Sequence, residues 1–195
     1  MIFQGIIFDL DGVICSTDEY HYQAWKELAD REGIPFDRSV NNRLRGVSRM
    51  ESLEILLERA KRSYSQEEKE KMAAAKNTRY QELLREMTPA DLSPEVFETL
   101  ETLRKQGLKL AIGSSSKNTP LILDRLGLGG YFDAVSDGNN ITRSKPDPEV
   151  FLKAAEYLGL SPETCLVVED AVSGVEAAHR AGMKAAALGD AAKTG

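Results

Sequence analysis

The sequence predicts an α/β protein: a doubly wound parallel sheet that is interrupted, after its first strand, by an inserted all-helical block. Short apolar runs alternate with helical patterns over residues 89–195, and this alternation is typical of parallel sheets covered by helices. Residues 16–88 break the alternation, because they hold about four helical stretches and no convincing strand. We therefore expect an α/β core domain from residues 1–15 and 89–195, and a helical cap domain from residues 16–88.

Five short apolar segments are the candidate strands. The first, residues 2–8, ends at the acidic, glycine-containing stretch Asp9-Leu10-Asp11-Gly12, as expected of a buried strand that opens into a loop. Continuous apolar runs of this length indicate strands buried on both faces, as in a parallel sheet. The other four candidates are residues 108–112, 134–136, 165–168 and 184–188.

Helix boundary signals support the same arrangement in the core. Ser93 is a good N-cap, Pro94 suits the first helical position, and Gly107 is a typical helix end. Two further helices are predicted at residues 148–158 and 171–181, which are followed by Gly159 and Gly182.

The inserted block carries three apolar stripes at helical spacing, which predict helices that pack on one another. The stripes are Tyr22, Trp25, Leu28 and Ala29; Met50, Leu53, Leu57 and Ala60; and Ala73, Tyr80, Leu83 and Met87.

Composition excludes several classes of protein. The 195 residues carry a net charge of −6, which disfavours sequence-independent binding to nucleic acid. No apolar run approaches the ~20 residues of a membrane span, and the N-terminus lacks the pattern of a secretory signal. The two cysteines, Cys15 and Cys165, cannot form a disulfide framework. We expect a cytoplasmic monomer with free thiols that binds a small molecule, and neither nucleic acid nor membrane.

Four groups of polar residues lie at predicted strand ends, where ligands bind in open parallel sheets. Asp9 and Asp11 could supply a nucleophile toward phosphorus and a group that handles protons. Residues 113–118, Gly-Ser-Ser-Ser-Lys-Asn, suit a phosphate. Lys145 could hold the charge of a transferring phosphoryl group, and Glu169-Asp170 could complete a Mg²⁺ site of oxygen ligands.

Each group also has a purely structural interpretation. An acidic strand end is commonly a turn or a helix cap, residues 113–118 could be an ordinary N-cap, and Lys145 could be a surface lysine. The groups occur in the order acid, hydroxyl, lysine and acid at successive strand ends. Together they supply the parts that phosphoryl transfer needs, which favours the functional interpretation.

These four groups resemble the motifs of the haloacid dehalogenase-like phosphotransferases, and the insertion resembles the helical cap that these Rossmann-like proteins carry. The resemblance runs from about residue 2 to residue 188. Within the family, the cap residues are most similar to those of the glucose-phosphate mutases. The residues that carry this narrower resemblance are Phe8 to Ile14, Thr17, Glu19-Tyr20-His21, Ala24-Trp25, Gly46-Val47-Ser48-Arg49, Lys76-Asn77, Ser116-Lys117-Asn118, Ser144-Lys145-Pro146 and Glu169-Asp170.

The resemblance implies interconversion of β-D-glucose 1-phosphate and D-glucose 6-phosphate, with β-D-glucose 1,6-bisphosphate as intermediate and primer. It implies that Asp9 is the nucleophile and Asp11 the general acid and base, and that Ser114 and Lys145 hold the transferring group. Mg²⁺ would bind the Asp9 carboxylate, the Asp11 main-chain carbonyl and Asp170, with Glu169 close by. Thr17, His21 and Lys76 would couple closure of the cap to the positioning of Asp11. The implied substrate-binding residues are Gly46, Val47, Ser48, Arg49, Ser52, Lys76, Ser115, Ser116, Lys117 and Asn118.

Alternatives remain for individual residues and for the function. Arg49 and Ser52 share one helical face and could line a cleft, whereas Lys76 could either snorkel toward solvent or reach a polar site. His21 could equally be a partly buried histidine with a satisfied ring. The competing functions are a sugar-phosphate phosphatase of the same family and a non-catalytic sensor of sugar phosphates; the presence of both Asp9 and Asp11 disfavours the sensor.

Overall fold

The structure, a computed structural model, describes residues 3–44, 47–189 and 191–193. The chain divides into two compact units. One is formed by Met1–Ser16 together with Met87–Gly195, and the other by Thr17–Glu86. We call them the core unit and the helical unit.

The core unit contains five parallel strands, which confirms the predicted fold class. They are β1 (Gly5–Phe8), β2 (Lys109–Gly113), β3 (Ala134–Ser136), β4 (Cys165–Glu169) and β5 (Lys184–Ala187). They form one sheet in the order β3-β2-β1-β4-β5. Because the order runs outward in both directions from β1, the carboxyl end of β1 lies at the topological switch point, where a crevice for ligands is expected.

The described residues form eight α-helices, four of them in the helical unit, as the sequence predicts. Among these residues, no helix has both the length and the apolar character needed to cross a membrane. The helices are α1 (Asp18–Arg31), α2 (Arg38–Asn42), α3 (Arg49–Leu57), α4 (Gln66–Leu84), α5 (Pro94–Lys105), α6 (Thr119–Arg125), α7 (Glu149–Leu158) and α8 (Val172–Arg180).

Helices α7 and α8 cover one face of the sheet. Alternate strand residues such as Ile7 and Val167 point into a buried cluster with Phe151 and Ala178 from these helices. At the end of β2, a Cβ added to Gly113 would lie 2.7 Å from the Phe151 ring. Glycine therefore lets α7 approach β2 closely just before the chain enters residues 114–118, the serine-rich loop.

The helical unit has its own core, in which α1, α3 and α4 pack around Trp25, Leu53 and Ala73. The predicted stripe on α3 packs on this core: Leu53 is fully buried, and Met50, Leu57 and Ala60 are partly buried against it, with Ala60 beyond the end of the helix. The stripe did not include Leu56, which is also fully buried.

Candidate active site

The loop that follows β1 places Asp9 at the carboxyl end of the central strand. The Asp9 N–H donates to the Val168 carbonyl of β4 at 2.9 Å, which continues the ladder by one residue. The chain then turns at Gly12, whose φ is +93°. A Cβ at Gly12 would lie 2.2 Å from Oδ2 of Asp170, so the turn needs glycine both for its backbone and for the carboxylate beside it.

Lys145 forms the centre of a buried ionic cluster. Its Nζ lies 2.5 Å from Oδ1 of Asp9 and 2.7 Å from Oε2 of Glu169. All three residues are buried, so the interpretation of Lys145 as a surface lysine is wrong. The other oxygen of Glu169 accepts from the backbone N–H groups of Asp170 and Ala171, each at 3.0 Å.

The cluster shifts the ionisation of its members. Burial raises the pKa of Asp9 to about 7; Lys145 opposes this shift, and the charge of Glu169 adds to it. Burial alone would lower the pKa of Lys145, but the two carboxylates outweigh that effect and raise it. Lys145 is therefore a permanent cation at neutral pH, whereas Asp9 binds a proton more readily than an exposed carboxylate does.

Carboxylate oxygens from Asp9, Glu169 and Asp170 lie within 4.8 Å of one another, which is close enough to share one cation. Three oxygen donors of this kind fit Mg²⁺. Both oxygens of Glu169 already hold hydrogen bonds, so Asp9 and Asp170 are the better candidates for direct ligation. Asp11 lies two residues after Asp9 in the same loop and is partly exposed.

Residues 113–118 form a compact loop between β2 and α6. The Ser114 N–H donates to the Ser136 carbonyl at 3.0 Å, and Oγ of Ser114 accepts from the Ser116 N–H at 3.2 Å. The Lys145 N–H donates to Oγ of Ser115 at 3.4 Å, which joins this loop to the lysine. Asn118 occupies the N-cap position of α6, and its N–H donates to Oγ of Ser116 at 3.1 Å.

One further loop, Asp137-Gly138-Asn139-Asn140, follows β3 and contacts residues 113–118, which the sequence patterns did not predict. The Gly138 N–H donates to the Ser116 carbonyl at 3.1 Å, and Nδ2 of Asn139 donates to the Lys117 carbonyl at 3.0 Å. These bonds hold the serine-rich loop from its outer side. The strand-end rule could have found it, because β3 was predicted and polar turn residues come directly after it.

The helical unit brings together the three residues that the resemblance implies in cap closure. Nζ of Lys76 lies 2.9 Å from Nδ1 of His21, and the Tyr80 hydroxyl donates to Oγ1 of Thr17 at 2.9 Å. Lys76 is only 3% exposed, so it does not snorkel. Its ammonium instead lies beside the polar ring of His21, as the alternative interpretation of Lys76 expects.

The contact with Lys76 determines the tautomer of His21. An ammonium group can only donate, so Nδ1 must accept and the neutral ring carries its hydrogen on Nε2. Burial lowers the pKa of His21 well below its usual value, and the charges of Lys76 and Arg49 lower it further. His21 is therefore a neutral imidazole whose Nε2–H is a hydrogen-bond donor.

The start of α3 carries the remaining candidates of the helical unit. Ser48 is the N-cap and forms a capping box with Glu51, so its hydroxyl has a structural role. Ser52 is buried one turn later, and Val47 and Arg49 are partly exposed. Within residues 3–44, 47–189 and 191–193, Arg49 has neither an ion pair nor a hydrogen bond. Gly46 lies outside the described residues.

Comparisons with known proteins identify the family. A model of the haloacid dehalogenase-like hydrolases matches residues 3–182. The chain is 44% identical to the Beta-phosphoglucomutase of Bacillus subtilis, over 95% of this chain and 83% of that protein. It is 35% identical to the Phosphorylated carbohydrates phosphatase of Thermotoga maritima, over 93% of this chain and 82% of that protein.

Solved structures agree with this assignment. The chain superposes on a crystal structure of beta-phosphoglucomutase from Clostridium difficile with a TM-score of 0.90 and 41% identity, covering 97% of this chain and 86% of that one. The match extends through the parallel sheet with its surrounding helices, so the Rossmann-like core is confirmed. Enzymes of this family use Mg²⁺, in agreement with the acidic cluster. The chain belongs to the haloacid dehalogenase-like hydrolase family, and it is an enzyme of that family.

Proposed function

We propose that this enzyme interconverts β-D-glucose 1-phosphate and D-glucose 6-phosphate through an aspartyl phosphate and β-D-glucose 1,6-bisphosphate. The observation that carries the proposal is the 44% identity to a Beta-phosphoglucomutase over 95% of the chain, because a match of that length includes the helical unit as well as the core. The helical unit supplies Arg49, a cation that forms no ion pair or hydrogen bond among the described residues. A substrate with two phosphates needs such a second cation.

In the core unit, a carboxylate oxygen of Asp9 attacks phosphorus and the bond to the sugar oxygen breaks. Lys145 lies 2.5 Å from this carboxylate and offsets the negative charge that gathers on the phosphoryl oxygens. The Ser114 hydroxyl, whose oxygen accepts from the Ser116 N–H, can donate its own hydrogen to the same group. Asp11 gives a proton to the departing sugar oxygen.

The second transfer reverses these roles. The sugar hydroxyl attacks the phosphoryl group on Asp9, the bond between phosphorus and Asp9 breaks, and Asp11 takes the hydroxyl proton. Arg49 and the Ser116-Lys117-Asn118 segment bind the phosphate that does not react, so that either end of the bisphosphate can be presented to Asp9. Thr17, His21 and Lys76 position Asp11 when sugar is bound.

Asp9 and Asp170, with Glu169 beside them, would hold Mg²⁺. The ion supplies charge neutralisation for the phosphoryl group. Glu169 contributes by keeping Lys145 in place through Oε2 while its other oxygen is held by two backbone N–H groups. Gly174 makes room for this carboxylate, because a Cβ there would lie 1.9 Å from Oε2.

A sugar-phosphate phosphatase is the second candidate function. The 35% identity to the Phosphorylated carbohydrates phosphatase, over 93% of this chain, favours it specifically. Water would then replace the sugar hydroxyl in the second transfer, with the same nucleophile and the same cation.

The two functions differ in their product. We expect the enzyme, given β-D-glucose 1-phosphate, Mg²⁺ and a trace of β-D-glucose 1,6-bisphosphate, to form glucose 6-phosphate with little inorganic phosphate. A coupled dehydrogenase assay measures the sugar phosphate, and a colorimetric assay measures phosphate in the same sample. Release of phosphate without glucose 6-phosphate would favour the phosphatase. The Asp9→Asn variant, which lacks the nucleophile, should form neither product while remaining folded by circular dichroism.

A further inference from the structure

Tyr80 on α4 contacts every residue of the helical unit that is proposed to position the general acid. The sequence placed it in an apolar stripe, and it is indeed buried, with 1% of its surface exposed. Its ring stacks on that of His21, with the centroids 4.0 Å apart and the planes inclined by 30°. Its hydroxyl donates to Oγ1 of Thr17 at 2.9 Å, and Nζ of Lys76 lies 4.4 Å from its ring centroid.

We propose that Tyr80 is a positioning residue for the phosphoryl transfer: its hydroxyl orients the Thr17 hydroxyl, and its ring holds His21 against Lys76. This inference rests on the proposed function, since it assigns Tyr80 a role through the residues that position Asp11. Tyr80 itself is not proposed to touch the substrate.

The hydroxyl acts through a simple restriction on Thr17. A threonine hydroxyl has one hydrogen to donate, and it rotates freely unless a neighbour determines its direction. Because Oγ1 of Thr17 accepts from Tyr80, its own hydrogen is directed away from that tyrosine. Thr17 is fully buried and occupies the N-cap position of α1.

The ring acts on the orientation of His21. Stacking restricts rotation of the imidazole about its side-chain bonds, and the Tyr80 ring also attracts the Lys76 ammonium. The Trp25 ring also lies near this ammonium, 4.9 Å from Nζ to its centroid. Because Nδ1 of His21 contacts Lys76, the Nε2–H group of the imidazole is directed away from Lys76.

The hydroxyl role is tested by a double-mutant cycle on kcat. Tyr80→Phe keeps the ring and removes the hydroxyl, and we expect kcat for glucose 6-phosphate formation to fall about tenfold with KM nearly unchanged. In a Thr17→Val background the same change should have almost no further effect, because the hydroxyl acts through Thr17. Tyr64→Phe is the matched control: its hydroxyl also bonds within the helical unit, to Glu32 at 3.3 Å, and its loss should leave kcat unchanged.

The ring role is tested by proton NMR, which does not require activity. The chain has only two histidines, and His179 is exposed on α8, so it provides an internal reference. The His21 ring protons should be shifted upfield in the wild type and in Tyr80→Phe. They should return toward the His179 positions in Tyr80→Leu, whose folding is checked by its urea midpoint.

The outcomes separate the two proposals. A wild type that forms no glucose 6-phosphate contradicts the proposed function, whereas the NMR comparison still tests the contact with His21. An active wild type with an unchanged kcat in Tyr80→Phe, or with equal losses in both backgrounds, overturns the role of Tyr80. Retention of the upfield shift in Tyr80→Leu overturns the ring role.

Discussion

At the scale of single residues, the central feature is one lysine shared by two buried carboxylates. Such a cluster is costly to bury, and it persists because each charge has a partner and Glu169 also accepts two backbone hydrogen bonds. The remaining cost of burial falls on the ionised form of Asp9, whose pKa rises to about 7. A cation that binds beside Asp9 would stabilise the ionised form of its carboxylate.

This ionisation predicts a pH-dependent affinity for Mg²⁺. Below pH 7 the Asp9 carboxyl is increasingly protonated and competes poorly as a ligand, so the apparent Kd for Mg²⁺ should rise about tenfold per pH unit. Without metal, the stability of the folded protein also depends on pH, and it decreases as the pH rises. The folded state holds this proton more tightly than the unfolded state, and the free energy of unfolding should fall as the pH rises from about 4 to about 7.

Titration calorimetry with Mg²⁺ at pH 5.5, 6.5 and 7.5 measures the affinity, and urea unfolding in a chelator measures the stability. Asp9→Asn should lose both dependences. Glu163→Gln, which alters an exposed acid of the core unit, should retain them. A Kd that does not change between pH 5.5 and 7.5 would show that Asp9 is not a ligand.

At the scale of elements, the site depends on how closely α8 approaches the end of β4. Gly174 lies in the first turn of this helix, and its missing side chain leaves the space that the Glu169 carboxylate occupies. Helix propensity alone would favour alanine at this position by about 1 kcal/mol. Glycine is therefore present because of a close contact and not because of the helix.

We expect Gly174→Ala to lower kcat about 100-fold, because the new methyl group displaces the carboxylate that holds Lys145. The loss should appear in kcat while the protein remains folded, since the displaced atoms are at the end of a side chain. Steady-state kinetics and thermal unfolding measure the two effects. Gly129→Ala is the control: its Cβ would make an ordinary contact, 3.6 Å from Oδ1 of Asp124, and should leave kcat unchanged. Wild-type turnover in Gly174→Ala would contradict the proposed role of Glu169.

At the scale of the whole molecule, the chemistry is divided between two units. The core unit carries the proposed nucleophile Asp9, Lys145 and the acidic cluster, whereas the helical unit carries Arg49 and the residues around Lys76. The proposed mutase uses both units because its intermediate has two phosphates. A reaction whose substrate has one phosphate does not need a second phosphate contact from the helical unit.

This division predicts that Arg49→Ala affects substrates unequally. The kcat/KM for β-D-glucose 1,6-bisphosphate should fall about 10- to 100-fold, the usual effect of losing one charge-assisted phosphate contact. Hydrolysis of acetyl phosphate, which has a single phosphate, should change much less. Arg43→Ala is the matched control, because Arg43 is exposed and already paired with Glu58 at 2.7 Å. Equal losses on both substrates would mean that Arg49 is structural.

Much of the fold could be predicted from local patterns. The predicted strand at residues 134–136 coincides with β3, and the other four strands differ by one to three residues at their ends. Gly159 ends α7 in the left-handed conformation, as the pattern predicted. The predicted stripe on α3 left out Leu56, because a short helix with apolar residues on two flanks does not show that both flanks contact neighbours.

The sequence by itself determined the alternation of strands and helices, the acidic, hydroxyl and lysine groups at strand ends, and the family. Only the tertiary structure decided that Lys145 is buried against Asp9, 136 residues away, that Lys76 reaches His21, and that Tyr80 joins His21 to Thr17. The physical reason is that strand ends, caps and turns follow from neighbouring residues. Burial and partner choice follow from strand register and helix packing, which bring distant segments together.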